Sequence, residues 1–246
     1  MARRPPVSDA RPALRARRRQ GRRRRLKTVL VLVLVLAVLG GLGYLVGWSS
    51  VLAVRSVRVE GTAVLTPERV REAAAVPSGR PLVRLDTDAI AARVAALAPV
   101  ESVEVHRRVP DTVVLAVTER TPVLATARDG RWALVDRAGV AFTTVAEVPD
   151  GVVPAVLGEE VAPEQRERLL VDLATVVRAC PPELLEQVRS VSASSADTLT
   201  LRLTDDRRLD WGSAEDSPLK AEVATVLLRQ EGEVYNVAVP SHPTVR

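Results

Sequence analysis

The residues able to do chemistry in this 246-residue chain are few, and the most suggestive spacing is Ser217-Pro218-Leu219-Lys220. A serine three residues ahead of a lysine is the nucleophile motif of penicillin-recognising enzymes. Such enzymes also need an S-D-N-like element and a K-T-G strand, and the only lysines here are Lys27 and Lys220. Ser followed by Pro is also an ordinary helix start. The histidines, His106 and His242, stand far apart in the sequence, and neither has a recognisable nucleophile partner with which to build a triad. Cys180 is the only cysteine, which excludes an internal disulfide, and one Cys with two His leaves little for zinc. Placed before Pro181-Pro182, Cys180 reads as a packed helix-end residue. The acid pairs Glu159-Glu160 and Asp205-Asp206 read as loop and turn residues. The expectation is therefore no catalytic residue, no metal site and no cofactor.

The charge distribution says more than the chemistry. The net charge of +5 averages two unlike parts: residues 1–28 hold 12 of the 35 Lys+Arg and one of the 30 Asp+Glu, leaving 23 bases and 29 acids beyond. Between them, Val29 to Trp48 reads VLVLVLVLAVLGGLGYLVGW. Twenty uncharged residues at about 1.5 Å each span about 30 Å, the thickness of a hydrocarbon core. The sequence thus predicts a transmembrane helix over 28–48, with Tyr44 and Trp48 at the far interface. A basic tail directly before the span places residues 1–27 in the cytoplasm and the remainder outside, a single-pass type II topology. Cleavage near Val51-Leu52-Ala53 is the rival, but a signal-peptide core is shorter than this run. The arginine-rich tail lacks interleaved aromatics and abuts the span, so it reads as a disordered, lipid-attracted segment rather than a nucleic-acid binder. Gly43 and Gly47 form a G-x-x-x-G along which a partner helix could approach.

Beyond the span, 47% hydrophobic residues with only 2% aromatics predict a core of Val, Leu and Ala. Residues 54–121 read as β-α-α-β-β. Val57 and Val59 alternate on a strand ending at Gly61, and Thr66-Pro67 opens a helix to about Ala75. Asp86, Thr87 or Asp88 caps a second helix carrying Ile90, Val94 and Leu97. Two strands follow, with Val103 and Val105 on one and Val113, Leu115 and Val117 on the other. Residues 122–239 mix strands with two helices. One covers Pro163 to Arg178; the other is capped by Ser217 and turns Leu219, Val223, Val226, Leu227 and Gln230 to one side. Leu199, Leu201 and Leu203 alternate cleanly, and Val234 to Val239 predicts a last strand at a sheet edge, open to strand addition. Residues 240–246 read as a frayed tail. The fold class expected is α+β: a transmembrane helix, a β-α-α-β-β domain and a mixed β-sheet domain with helices.

The wording of particular segments goes further. Val54 to Gly61 (VRSVRVEG), Gly79 to Asp86 (GRPLVRLD) and above all Val100 to Val123 (VESVEVHRRVPDTVVLAVTERTPV) resemble the POTRA domain of the bacterial cell-division proteins FtsQ and DivIB. The signal lies in Arg107, Arg108, Pro110, Glu119, Arg120 and Pro122 standing in register. The similarity continues through Ala133 to Phe142 into that family's β-domain. The resemblance implies a non-enzymatic scaffold of the division apparatus at the septum, whose C-terminal part binds FtsB, coupled to FtsL, and through them FtsW and FtsI. Carried over by position, it makes Tyr235, Asn236, Val237, Ala238 and Val239 candidate partner contacts, with Arg202, Arg207 and Trp211 beside them. Two other readings compete. One is a membrane-anchored wall enzyme using Ser217 and Lys220; the other is a POTRA protein of outer-membrane secretion, for whose barrel the chain has no room.

Overall fold

The computed structural model describes residues 27–41, 43–44 and 52–246. Helix α1 occupies 27–41 and 43–44, with its side chains exposed. Among the described residues no helix is long and apolar enough to cross a membrane. The basic tail up to residue 26, Leu42, and residues 45–51 with Gly47 and Trp48 lie outside the described residues.

The first folded unit is a three-stranded sheet, β1 (Ser56–Glu60), β2 (Val100–Arg108) and β3 (Thr112–Glu119), in the order β1-β3-β2. β3 is central, parallel to β1 and antiparallel to β2. Helices α2 (Pro67–Ala74) and α3 (Thr87–Ala95) cover one face. Both starts follow from side chains, since the Thr66 hydroxyl and the Asp86 carboxylate accept the Arg69 and Ala89 N–H groups. Alternation decides the core: Val113, Leu115 and Val117 meet Val70, Ile90 and Val94 from the helices. Leu82, Val83 and Arg84 form a single 3-10 turn between them.

The second unit is a nine-stranded mixed sheet. Its strands are β4 (Leu124–Arg128), β5 (Arg131–Val135), β6 (Ala141–Val145), β7 (Val153–Leu157), β8 (Val188–Ser195), β9 (Thr198–Leu203), β10 (Arg208–Gly212), β11 (Val234–Asn236) and β12 (Thr244–Val245), ordered β12-β11-β10-β9-β8-β7-β4-β5-β6. The helices are α4 (Pro163–Ala179), the one-turn α5 (Pro182–Leu185) and α6 (Ser217–Leu227). Leu199, Leu201, Leu203, Leu209, Trp211, Tyr235 and Val237 form the sheet side of the core, with Leu169, Leu173 and Val176 of α4 in the same cluster.

Three expectations need correction. The last strand is not the run Val234–Val239, nor is it an edge. β11 stops at Asn236, and β12, from the segment read as a frayed tail, pairs along its outer side. Helix α6 does not bury the side marked by its large residues. Ser217, Lys220, Ala221, Ala224 and Leu227 are buried, while Leu219 and Val226 are exposed. Two alanines let the helix lie close to α4, and that proximity outweighs bulk. Ser217 is not its cap either; Asp216 occupies that position in a left-handed conformation, and no side chain caps the helix.

Candidate functional site: the joint and the C-terminal sheet end

Of the charged residues that stand in register, Arg107, Glu119 and Arg120 prove to be ties within the first unit and across to the second. Arg107 donates to the Leu85 carbonyl at 2.6 Å, holding β2 against the 3-10 turn. The Glu119 carboxylate accepts three successive backbone N–H groups, from Ala63, Val64 and Leu65, at 2.8–3.2 Å. That single side chain fixes the loop between β1 and α2. Arg120 crosses to the other unit. Its backbone N–H donates to Pro99 O at 2.8 Å and its Nε to Ala98 O at 3.1 Å, while Nη1 meets Asp136 in a short ion pair. Asp136 is only 1% exposed, and its other oxygen accepts the N–H groups of Ala138 and Val140, both at 2.9 Å. One carboxylate therefore shapes the β5–β6 turn and anchors the linker arginine. A second pair, Arg137 with Glu101, lies beside it in a more exposed place. Neither ion pair is legible in the sequence, because nothing local to Arg120 or Glu101 points to a partner in the β5–β6 turn.

The serine and lysine of the S-x-x-K spacing are likewise built into the fold. Ser217 Oγ accepts from the Trp211 indole N–H at 3.1 Å and donates to the Ala214 carbonyl at 2.7 Å. Lys220 is buried, and its ammonium donates to the Ser213 carbonyl at 2.9 Å. Burial lowers its pKa, against the pull of Asp216 and Glu215. The group thus ties α6 to the loop after β10. His106 is exposed beside Glu104, Nε2 to Oε2 3.1 Å, and His242 beside Ser241. Cys180 is buried at the end of α4, where desolvation pushes its pKa up to about 12. Among the described residues, no group of three His, Cys, Asp or Glu could hold a metal ion.

The residues carried over as partner contacts divide by exposure. Trp211, Tyr235 and Val237 are fully buried, so their side chains contribute to the core and not to an outer surface. The Tyr235 hydroxyl donates to Gln230 O at 2.7 Å and accepts from Arg207 Nη1 at 3.2 Å. Arg207 also pairs with Asp205, so this arginine props the β10–β11 end from below. Asn236 turns its Oδ1 back onto the Ala238 N–H. Val239 is 56% exposed, and Arg202 is exposed on the face opposite the helices, in register with Arg208 and Val234 across β10 and β11. The bulge at Trp211 places Gly212 at φ +78, with Ala238 so close that an added Cβ would sit 2.7 Å from its methyl. The segment after β11 is thereby pinned over the sheet end.

Beyond β12 the described sheet has no further strand. Arg246 and Val234 exchange N–H···O bonds at 2.9 and 3.0 Å, so the antiparallel alternation turns the Val245 N–H and C=O away from β11. This two-residue edge is one of the two ends of the sheet, the other being β6.

Comparison with known proteins gives the same reading in two consecutive segments. Residues 52–120 match the POTRA domain, FtsQ-type, and residues 125–239 match the cell division protein FtsQ/DivIB, C-terminal region. A cell division protein FtsQ of Streptomyces venezuelae is 41% identical over 215 residues, covering 85% of this chain and 79% of that protein. This chain belongs to the FtsQ/DivIB family of cell-division proteins. The FtsQ of Streptomyces griseus is 39% identical over 80% of this chain and 98% of its own. That of Mycobacteroides abscessus is 37% identical, covering 84% and 65% respectively. Among solved structures, the major extracytoplasmic domain of DivIB from Geobacillus stearothermophilus aligns with a TM-score of 0.35 at 8% identity, covering 51% of this chain and 98% of that one. For an FtsQ/DivIB chain these ties are architecture: Glu119 braces the POTRA unit internally, and the Arg120–Asp136 and Arg137–Glu101 pairs fix that unit to the β-domain.

Proposed function

We propose that the chain is a single-pass membrane scaffold of the division apparatus, with residues 1–27 in the cytoplasm, 28–48 as the anchor and both folded units outside. Its work is holding. The β12 end of the sheet adds a strand from an FtsB-like partner, with an FtsL-like protein in the same assembly and the septal synthases FtsW and FtsI linked through them. The observation that carries this reading is the outward pair of backbone groups on Val245, at the end of a long sheet in a family of division proteins. An edge with unpaired donors and acceptors takes another strand by main-chain hydrogen bonds, and neighbouring side chains supply selectivity. Val239 is the apolar contact and Arg202 provides positive charge for an acidic stretch of the partner, whereas Arg208 is already paired with Asp210. Ala238 and Asn236 act by shaping the segment; Tyr235, Val237, Trp211 and Arg207 hold the edge in place from the core. Anchoring both partners in one membrane raises their effective concentration, so a small contact suffices.

Val245→Pro tests the reading, because proline removes the outward N–H while the Arg246–Val234 bonds to β11 stay available. Capture of an FtsB-like protein by the full chain should fall sharply with unchanged thermal unfolding. Undiminished capture would falsify strand addition at β12. Labelling with a fluorescent penicillin addresses Ser217; the scaffold reading expects no covalent adduct.

A further inference from the structure

One end of the first sheet joins apolar side chains and arginines. Leu52, Val83 and Val109 converge with Leu82 and Arg107 around a shallow hollow of about 200 Å³. Backbone contacts assemble it: Ala53 bridges Pro81, the Val54 N–H donates to Arg80 O at 3.0 Å, and the Gly79 N–H returns to Val54 O at 2.9 Å. Val83 is 56% and Val109 73% exposed. Arg80 and Arg108 are exposed around this end, and beside them stand Arg55, Arg84 and Arg107, also exposed but already engaged within the fold. The acids here are Asp86, whose carboxylate caps α3, Asp88 in the first turn of that helix, and Asp111, whose carboxylate accepts the Thr112 hydroxyl. The opposite end differs. Val64 is 84% exposed there, but its loop is bound to the Glu119 carboxylate.

Chain length selects the occupant. Leu52 follows Trp48, the end of the uncharged apolar run, by four residues, which reach at most about 14 Å. A tether that short keeps the hollow at or just above the headgroups of any membrane holding the run. Exposed aliphatics ringed by arginines suit that zone, the apolar tips entering the interface and the guanidinium groups meeting lipid phosphates. We infer that this end of the first domain rests on an anionic lipid surface, with Val83 and Val109 among the headgroups. The inference depends on the anchor reading above. It also orients the molecule: β3 carries the chain about 25 Å from the Val109 end to Glu119. The second domain and its free edge are then held off the membrane.

Nitroxide labels in the full chain test this, placed singly by Val83→Cys, Val109→Cys, Val64→Cys and Leu36→Cys in a Cys180→Ala background. The chain is reconstituted in vesicles of equal parts phosphatidylglycerol and phosphatidylcholine, and in phosphatidylcholine alone. Accessibility to a water-soluble nickel chelate should fall several-fold at positions 83 and 109 relative to 64 in the anionic vesicles, and less in the neutral ones. Arg80→Glu with Arg108→Glu should bring the anionic result to the neutral one. Labels at 83 and 109 as water-exposed as the label at 64, with position 36 in lipid, overturn the surface contact and leave the anchor standing. A label at 36 that remains in water overturns the anchor, and the inference with it. Equal protection at 83 and 109 in both lipids overturns the role given to the arginines.

Discussion

Asp136 concentrates three obligations in one buried carboxylate: two backbone N–H groups of its own turn and the guanidinium of Arg120. Removing one partner of a buried ion pair leaves the other charge unmatched, so Asp136→Ala should lower stability by about 3 kcal/mol in chemical denaturation. Asp136→Asn keeps an acceptor for the turn and should cost less. Arg137→Ala, at the exposed neighbouring pair, should cost less than about 1 kcal/mol. Cys180 gives a pH prediction. Its folded pKa is raised from 9.0 to about 12 by burial, so above pH 9 the unfolded chain ionises first and gains stability relative to the folded one. The thiol's contribution is fully present below pH 9 and is lost as pH rises toward 12, by about 1.4 kcal/mol per pH unit. Unfolding measured against Cys180→Ala isolates this, because the titrations the two chains share cancel; a pH-independent difference would refute it. At this scale the sequence disclosed local chemistry well, such as the caps at Thr66 and Asp86. It disclosed distant partners poorly, because nothing in Arg120 alone points to a residue sixteen positions on.

At the scale of elements, two-residue and heptad-like periodicities were legible wherever one face is buried and the other wet. The clean alternation of Leu199, Leu201 and Leu203 is buried as alternation requires, and Ile90 and Val94 face their sheet. Helix α6 misleads because size does not decide burial there: its contact face carries Ala221 and Ala224, and its large Leu219 and Val226 point outward. Ala224→Leu should therefore cost about 1–3 kcal/mol by overpacking, while Val226→Ser should change stability by no more than about 0.5 kcal/mol. Thermal unfolding of the two variants checks the assignment, and the reverse order would contradict it. The edge was misplaced for a related reason. A two-residue strand such as β12 has no periodicity to read, and its existence depends on β11 being there to receive it.

For the whole molecule, under the proposed scaffold function, the division of charge, the apolar run and the two folded units are a device for holding a sheet edge at a fixed height from a membrane. Family membership was legible before any coordinates in the wording around Arg107, Glu119 and Arg120, and those three side chains are tied to backbone or to a buried partner. The accessible edge was not legible, because it exists only once nine strands are ordered. The most direct measurement is two-colour imaging of an FtsB-like protein and this chain, in dividing cells whose only copy carries Val245→Pro. The account predicts that the variant chain still forms a septal band while the partner disperses. A partner band as strong as with the unaltered chain, or a variant spread evenly along the membrane, would contradict it.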